Sequence, residues 1–271
     1  MDVPKSTKLK IATFNLAFNV MANQVAGSEA PQVELCKASY AEGGFACTKN
    51  AAKFISQYDL FGLQEVNLNY LDDLKANIRA ANPKASFVFT HATYFGNWGV
   101  LIGFNERVTG SGQAILSGLL PSNPQAPDHR GIQSVYFKRL DLLMINLHAP
   151  HQINLKKEIE LFGLKLNKFV SGDLKNLKIV MTGDFNDDGS KLAKQEVTIL
   201  GHAVRIPSIQ KEGKTVPILV KSCCTDSGYR YPGDYVMVNE NIKVEHYGFP
   251  PGYVRGKPLM SDHDPVVLIT K

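Results

Sequence analysis

The chain has no apolar run that approaches the ~20 residues of a membrane-spanning helix, which excludes that class of anchor. Met1 to Lys10 is polar and rich in lysine, without the apolar stretch of a secretory signal. That absence favours a cytoplasmic protein, with secretion open only if a leader was removed. Cysteine is scarce: Cys36, Cys47, Cys223 and Cys224 are the whole complement, and their spacing matches no zinc motif. Adjacent cysteines rarely bond to each other because the ring is strained. Cys36 and Cys47 flank a glycine-containing loop and can pair in an oxidising compartment. With no leader in view, four reduced thiols are the expectation. There is no internal repeat, low-complexity tract or linker, so residues 1–271 read as a single domain, expected to be a monomer.

What is present is ordinary globular material. Hydrophobic residues make up 44% of the chain, ample for a core, and the formal net charge is +5. A modest positive balance suits a phosphorylated or polyanionic partner, though it serves solubility equally well.

Hydrophobic periodicity predicts many strands and a few helices. Lys8 to Asn15 alternates polar and apolar, as a half-buried strand does. Asp59 to Glu65 is a short apolar run typical of a strand covered on both faces. Further strands are predicted at 86–90, 99–104, 131–137, 141–148, 178–184, 234–238 and 265–269. Helical spacing appears at 50–57, 71–81 and 155–170. Strands interleaved with helices imply sheets covered by helices, an α/β sandwich.

Ionisable and amide residues recur at the ends of these strands. Asn15, Glu65, His148 and Asp184 each close one, and Asn186 follows two residues on. Each alone has a local explanation, since Asp and Asn form turns readily. The joint pattern points elsewhere, because strand ends of a rigid sheet are where α/β enzymes gather catalytic groups. In Thr182-Gly-Asp-Phe-Asn-Asp187, Gly183 permits a sharp turn and Asp184 can point into a cleft. A carboxylate and an amide on one side suit an attacking water, the first taking its proton and the second orienting it. Asp187 and Asp188 lack the full spacing of a calcium loop. In Met260-Ser-Asp-His-Asp-Pro265, Asp262 can offer oxygen to a hard divalent ion. His263 can touch a phosphoryl oxygen or move a proton, and Asp264 before Pro265 reads as a turn acid.

Six motifs in order then resemble the endonuclease/exonuclease/phosphatase superfamily. They are Thr-Phe-Asn-Leu at Asn15, Leu-Gln-Glu-Val at Glu65, Asn-Leu-His-Ala-Pro at His148, Gly-Asp-Phe-Asn at 183–186, Gly-Asp-Tyr-Val at Asp234, and Ser-Asp-His-Asp-Pro at 261–265. Leu-His-Ala-Pro followed by a helix and Gly-Asp-Phe-Asn is most similar to the pancreatic-type deoxyribonuclease branch. The resemblance implies a four-layer α/β sandwich of two packed mixed β-sheets flanked by helices. It implies Glu65 as the main metal ligand, with Asn15 and Asp262 beside the same ion. Magnesium is expected there, with manganese or calcium as substitutes. By the same resemblance Asp184 takes the proton from water, Asn186 holds water or phosphate, and His263, oriented by Asp234, contacts phosphate or acts as acid. His148 contacts another non-bridging oxygen.

The chain departs from the family in two places. Ala17 stands where abasic-site enzymes often carry an acid, which argues against abasic repair and leaves the choice between one and two metals open. Around Asn97-Trp98-Gly99 no glutamate aligns to support His148. Arg130, Arg230 and Arg255 are candidate substrate-binding residues; the last two lie near tyrosines and lead into catalytic motifs, an arrangement suited to phosphates and unstacked bases. Tyr94 and Trp98 stay open between core and substrate platform, and His91, His202 and His246 read as structural or surface. The expected activity is a magnesium-dependent phosphodiesterase, an endonuclease on DNA or RNA. The alternative is a phosphatase or phosphodiesterase on an inositol phosphate, a sphingomyelin-type lipid or a cyclic nucleotide.

Overall fold

The computed structural model describes residues 8–17, 46–96, 98–121, 130–151, 154–170, 174–186, 196–223, 232–255, 260–261 and 263–271. Asp262, Arg230, Cys36, Cys224, Asn97, Asp187 and Asp188, all named above, lie outside that set, as does the side chain of Tyr94.

Two mixed sheets form the framework, as the family resemblance implied. The first runs β15 (Val244–Gly248), β16 (Val266–Thr270), β1 (Lys10–Asn15), β2 (Leu60–Asn67), β5 (Trp98–Asn105) and β3 (Phe87–Phe89), with β4 (Thr93–Phe95) also on β5. The second runs β14 (Asp234–Val238), β9 (Lys178–Asp184), β8 (Leu142–His148), β7 (Arg130–Phe137) and β6 (Gln113–Leu120). β1 and β2 are parallel, as are β8 and β9; the other pairings in these sheets are antiparallel. The parallel pairs lie at the centre and bring four strand ends to the same edge of the sandwich.

Alternation decides which side chains enter the space between the sheets. On β1, Ala12 and Phe14 join the cluster under helices α1 (Ala46–Ile55) and α2 (Leu71–Ala81). Ile11, Thr13 and Asn15 therefore face the second sheet. On α2, Leu71, Leu74 and Ile78 are buried at helical spacing, and Asp72 and Asp73 favour its positive N-terminal end. The helix Leu155–Leu166 covers the second sheet through Ile159, Phe162 and Leu166, and Asn154 caps its start by accepting from the Lys157 N–H. No helix among the described residues is long and apolar enough to cross a membrane.

The strands that periodicity did not reveal are short or exposed on both faces. The hairpin β12 (Ser208–Lys211) and β13 (Lys214–Pro217) is exposed throughout, so its residues carry no alternation. The cysteines overturn the expectation of reduced thiols: Cys47 and Cys223 are both disulfide-bonded, and no cysteine among the described residues is free.

A buried polar layer joins the two sheets. Gln64 Nε2 donates to Asn146 Oδ1 at 2.6 Å and to Thr13 Oγ1 at 3.1 Å. Thr182 Oγ1 donates to Asn146 Oδ1 at 3.1 Å. Asn146 Nδ2 donates to the carbonyls of Leu63 and Leu101 at 3.0 and 3.1 Å. All four side chains are fully buried, and each finds a partner in the facing sheet or a neighbouring strand. Gly62 makes that approach possible, since a Cβ there would lie 2.1 Å from Thr182 Oγ1 and 2.2 Å from Asn146 Oδ1. Gly62→Ala is therefore expected to destabilise the protein by ~1–3 kcal/mol, the scale of overpacking. At roughly 2–4 °C per kcal/mol the melting temperature should fall by several degrees. Gly118→Ala on β6, where a Cβ meets nothing within 4 Å, should leave it nearly unchanged. Thermal unfolding followed by circular dichroism checks both, and equal melting temperatures would refute the close-approach argument.

Candidate active site

The central strand ends supply the site. Asn15 ends β1, Glu65 lies near the end of β2, His148 ends β8 and Asp184 ends β9. β14 runs antiparallel to β9, and this pairing sets Asp234 opposite Asp184. Three of the six non-glycine residues with positive φ among the described residues lie here: Ala17, Glu65 and Asn186. Such backbone costs of order 1–3 kcal/mol per residue and persists only where the surroundings enforce it.

Hydrogen bonds tie these residues into one cluster. Asn15 Nδ2 donates to Asp184 Oδ2 at 2.8 Å and to Glu65 Oε1 at 3.3 Å, while its Oδ1 accepts from the Ala17 N–H. The Asn186 N–H donates to Asp184 Oδ1 at 2.9 Å, and Asn186 Nδ2 donates to the Ala149 carbonyl at 2.7 Å. Asn186 Oδ1 is thereby left as the acceptor end of its amide. His148 Nε2 lies 3.5 Å from Asp184 Oδ2 and 3.8 Å from Glu65 Oε1.

His263 is held from three sides. Its Nδ1 lies 2.9 Å from Asp234 Oδ2, so Nδ1–H donates to that carboxylate and the tautomer is set. Its backbone N–H donates to Ser261 Oγ, whose hydroxyl donates to the Asn15 carbonyl at 2.8 Å. Its Nε2 lies 3.4 Å from the disulfide sulfur of Cys223. The neighbouring Ser222 accepts from the Asp234 N–H through Oγ and from the Asp264 N–H through its carbonyl. Ser222 and Cys223 carried no motif, and no spacing in the sequence could have placed them here.

Arg130 lies against His148 and over the ring of Trp98, the stretch around which no supporting glutamate aligned. Its Nη1 lies 2.9 Å from Nδ1 and 2.7 Å from Nε2 of His148; a neutral imidazole has one acceptor nitrogen, so only one of these contacts is a hydrogen bond at a time. Nη1 also lies 3.6 Å from Glu65 Oε1, and the guanidinium sits over the Trp98 ring, 5.2 Å from its centre. Burial pushes the His148 imidazole well below its ordinary pKa, and the positive charges of Arg130, His263 and His151 push it the same way. Burial raises the Asp234 carboxyl, with the Asp184 charge adding to this and His263 opposing it.

Asp184, Asp234 and His263 each offer a ligand atom within 4.8 Å of the others, a grouping able to hold a metal ion. Asp234 Oδ1 is buried without a hydrogen-bond partner among the described residues. Two buried carboxylates beside an imidazole, with one carboxylate oxygen unmet, fit a divalent cation. Asn15 differs from its expected role as a ligand: its amide nitrogen faces the acids and its oxygen is taken by Ala17.

Arg255 does not join the cluster. Its Nε bonds Asp264 Oδ2 at 2.5 Å, another of its nitrogens bonds the Lys221 carbonyl, and the guanidinium lies over Phe249. The substrate-binding expectation for Arg255 gives way to a structural one, because Nε, one Nη and one face of its guanidinium are already engaged. Asp264 is likewise held, by Arg255 and the Tyr253 hydroxyl. His202 bridges Glu240 and the Leu174 carbonyl, and His246 bonds the Phe249 carbonyl.

Comparison with known proteins agrees with this geometry. No curated protein matches the sequence. Among solved structures, an endonuclease/exonuclease/phosphatase from Bacteroides vulgatus aligns over 98% of this chain and 99% of its own, at 16% identity and TM-score 0.58. D. rerio TDP2 complexed with a single-strand DNA product aligns over 98% and 100%, at 15% identity and TM-score 0.57. ANGEL2, a 2',3'-cyclic phosphatase, aligns over 97% and 95%, at 11% identity and TM-score 0.63, in its complex with adenosine-2',3'-vanadate. The family model for the endonuclease/exonuclease/phosphatase family matches residues 12–263, and the chain belongs to that family of phosphoester hydrolases.

Proposed function

We propose that this protein is a divalent-metal-dependent phosphodiesterase that cleaves nucleic acid with an activated water. The observation that carries the chemistry is the convergence of Asn15, Glu65, Arg130, His148, Asp184, Asn186, Asp234 and His263 in one hydrogen-bonded cluster. Glu65 would hold the ion, with Asp262 beside it and Asn15 as a ligand only after its amide turns over. Magnesium suits a site with few carboxylates; manganese or calcium would be substitutes. When bound, the ion neutralises charge that develops on the phosphoryl group.

The protein's own groups divide the remaining work. Asp184, steadied by Asn15 and by the Asn186 N–H, accepts the proton of the attacking water, and Asn186 Oδ1 orients that water. His263, with Nδ1–H fixed on Asp234, serves the phosphoryl group or leaving oxygen through Nε2. That assignment also favours His263 as a proton carrier over its use as a metal ligand in the grouping with Asp184 and Asp234. His148, kept neutral, offers one N–H to a non-bridging oxygen while its other nitrogen accepts from Arg130. Arg130 adds a cation at the mouth of the site.

Nucleic acid as substrate is supported by the net charge of +5, by the guanidinium stacked on Trp98, and by the likeness to TDP2 with its DNA product. Arg230 would extend that contact. The alternative, a small or lipid phosphoester, draws on relatives such as the Bacteroides thetaiotaomicron mannosyl-6-phosphatase, 19% identical at TM-score 0.57 over 97% of this chain and 99% of its own. The disulfides on Cys47 and Cys223 support work in an oxidising compartment over the cytoplasm.

Asp184→Ala and His263→Ala should each leave a folded protein whose turnover falls by at least ~100-fold; near-wild-type rates in either would remove that residue from the mechanism. EDTA should abolish activity, and magnesium or manganese should restore it; activity that persists in chelator would refute the metal requirement. A panel of plasmid, single-stranded DNA, RNA, cyclic dinucleotide, inositol phosphate and sphingomyelin tests the substrate. Cleavage of plasmid or RNA is expected, and hydrolysis confined to the last three would establish the alternative.

A further inference from the structure

The pairing of β2 with β5 breaks beside the site. Leu63 pairs with Leu101, and the next pair is Val66 with Gly99, so β2 carries one extra residue across the gap. This is a β-bulge, a device that re-aims a side chain and bends the strand. Glu65 lies within it with φ +51°, a left-handed conformation that a glutamate does not adopt without support. With the strand in regular register, period-two alternation would turn Glu65 away from Gln64 and out of the space between the sheets. The bulge is therefore what brings Glu65 to the same side as Asn15 and Asp184.

The support comes from the opposite sheet. Asn146 Nδ2 donates to both the Leu63 and Leu101 carbonyls, gripping the two members of the last pair before the break. Its Oδ1 accepts from Gln64, the residue immediately before Glu65, and from Thr182. One fully buried amide thus fixes the backbone at residue 63, the side chain at 64 and the partner strand at 101. Asn146 also lies two residues before His148, and Thr182 two before Asp184, so both share a face with those site residues.

We propose that Asn146 is a positioning residue for the metal: it holds the β2 bulge in the form that aims the Glu65 carboxylate at the site. This rests on the reading of Glu65 as a metal ligand. A residue that orients a ligand typically changes metal affinity by ~10–100-fold when it is removed, and does so without touching the ion.

The test is calorimetric titration of the metal-stripped full chain with Mn2+, alongside thermal unfolding. Asn146→Leu keeps the volume and loses every polar contact. Asn146→Asp keeps the acceptors and loses both donors to the carbonyls. Each is expected to weaken Mn2+ binding by ~10–100-fold while retaining a cooperative unfolding transition. Gln133→Leu is the control. Gln133 is the cross-strand partner of Asn146 and is also buried, but it bonds Thr90, Thr93 and the His91 carbonyl, on the side of β5 opposite to β2. It should lower the melting temperature and leave Mn2+ affinity unchanged. Wild-type affinity in both Asn146 variants, an equal loss in Gln133→Leu, or collapse of the fold in both Asn146 variants would each overturn the proposal. Glu65→Gln separates the two levels: unchanged Mn2+ affinity there means that the reading of Glu65 has failed, whereas loss there with none at Asn146 means that only the positioning role has.

Discussion

The contact between the two sheets is polar where it lies beneath the site, and that constraint governs the rest. Asn146, Gln64, Thr13 and Thr182 meet across the sandwich, and only a glycine at position 62 lets them come close enough. A layer of leucines would have filled the same space with less risk, since a buried amide costs stability whenever a partner is missing. The polar layer gives direction instead. Apolar packing tolerates small slides of one sheet over the other; a carboxamide that donates to two named carbonyls does not. The groups above this layer come from both sheets, Asn15 and Glu65 from one, His148 and Asp184 from the other. Their mutual distances are only as fixed as that contact.

The charges of the site are balanced in the same spirit. Glu65, Asp184 and Asp234 bring three carboxylates into a buried region, and burial, with the Asp184 charge, raises Asp234. Arg130, Asn15 and the Asn186 N–H offset part of that cost, and His263 meets one oxygen of Asp234. The other oxygen is left without a partner among the described residues. Arg130 has a second effect. Where the deoxyribonuclease-like resemblance would supply a glutamate that favours a charged histidine, an arginine favours a neutral one. Of the two histidines, His263 has the nearer carboxylate, with Asp234 Oδ2 at 2.9 Å against Asp184 Oδ2 at 3.5 Å from His148.

Much of this was legible in the sequence, for a reason of period. A strand that alternates places its last residues on a known face, so Asn15, His148 and Asp184 could be assigned to one edge from spacing alone. Glu65 obeyed the motif and broke the period. Its bulge and positive φ leave no mark in the composition of Leu-Gln-Glu-Val, because the residue that sustains them is 81 positions away in the chain. Ser222, Cys223 and the Arg130–His148 contact were silent for the same reason, being made by the meeting of segments distant in sequence. Arg255 misled because proximity to a catalytic motif says nothing about whether a guanidinium is already satisfied. The disulfides on Cys47 and Cys223 were silent as well, because four cysteines in a sequence do not disclose which sulfurs meet in the fold.

Substrate identity is the part that neither period nor motif reaches. Solved structures 11–19% identical to this chain share its sheets over nearly their whole length, yet their names describe a DNA product, a sugar phosphatase and a cyclic phosphatase. The sheet frame and the inter-sheet contact fix where a phosphoryl group is attacked, and every member of such a family needs that. What is attached to the phosphoryl group is met by side chains at the rim, where no packing rule constrains the choice. Arg130 belongs to both regions: its guanidinium touches Glu65 and His148 on one side and covers Trp98 on the other. A residue so placed links the chemistry to the group that presents it.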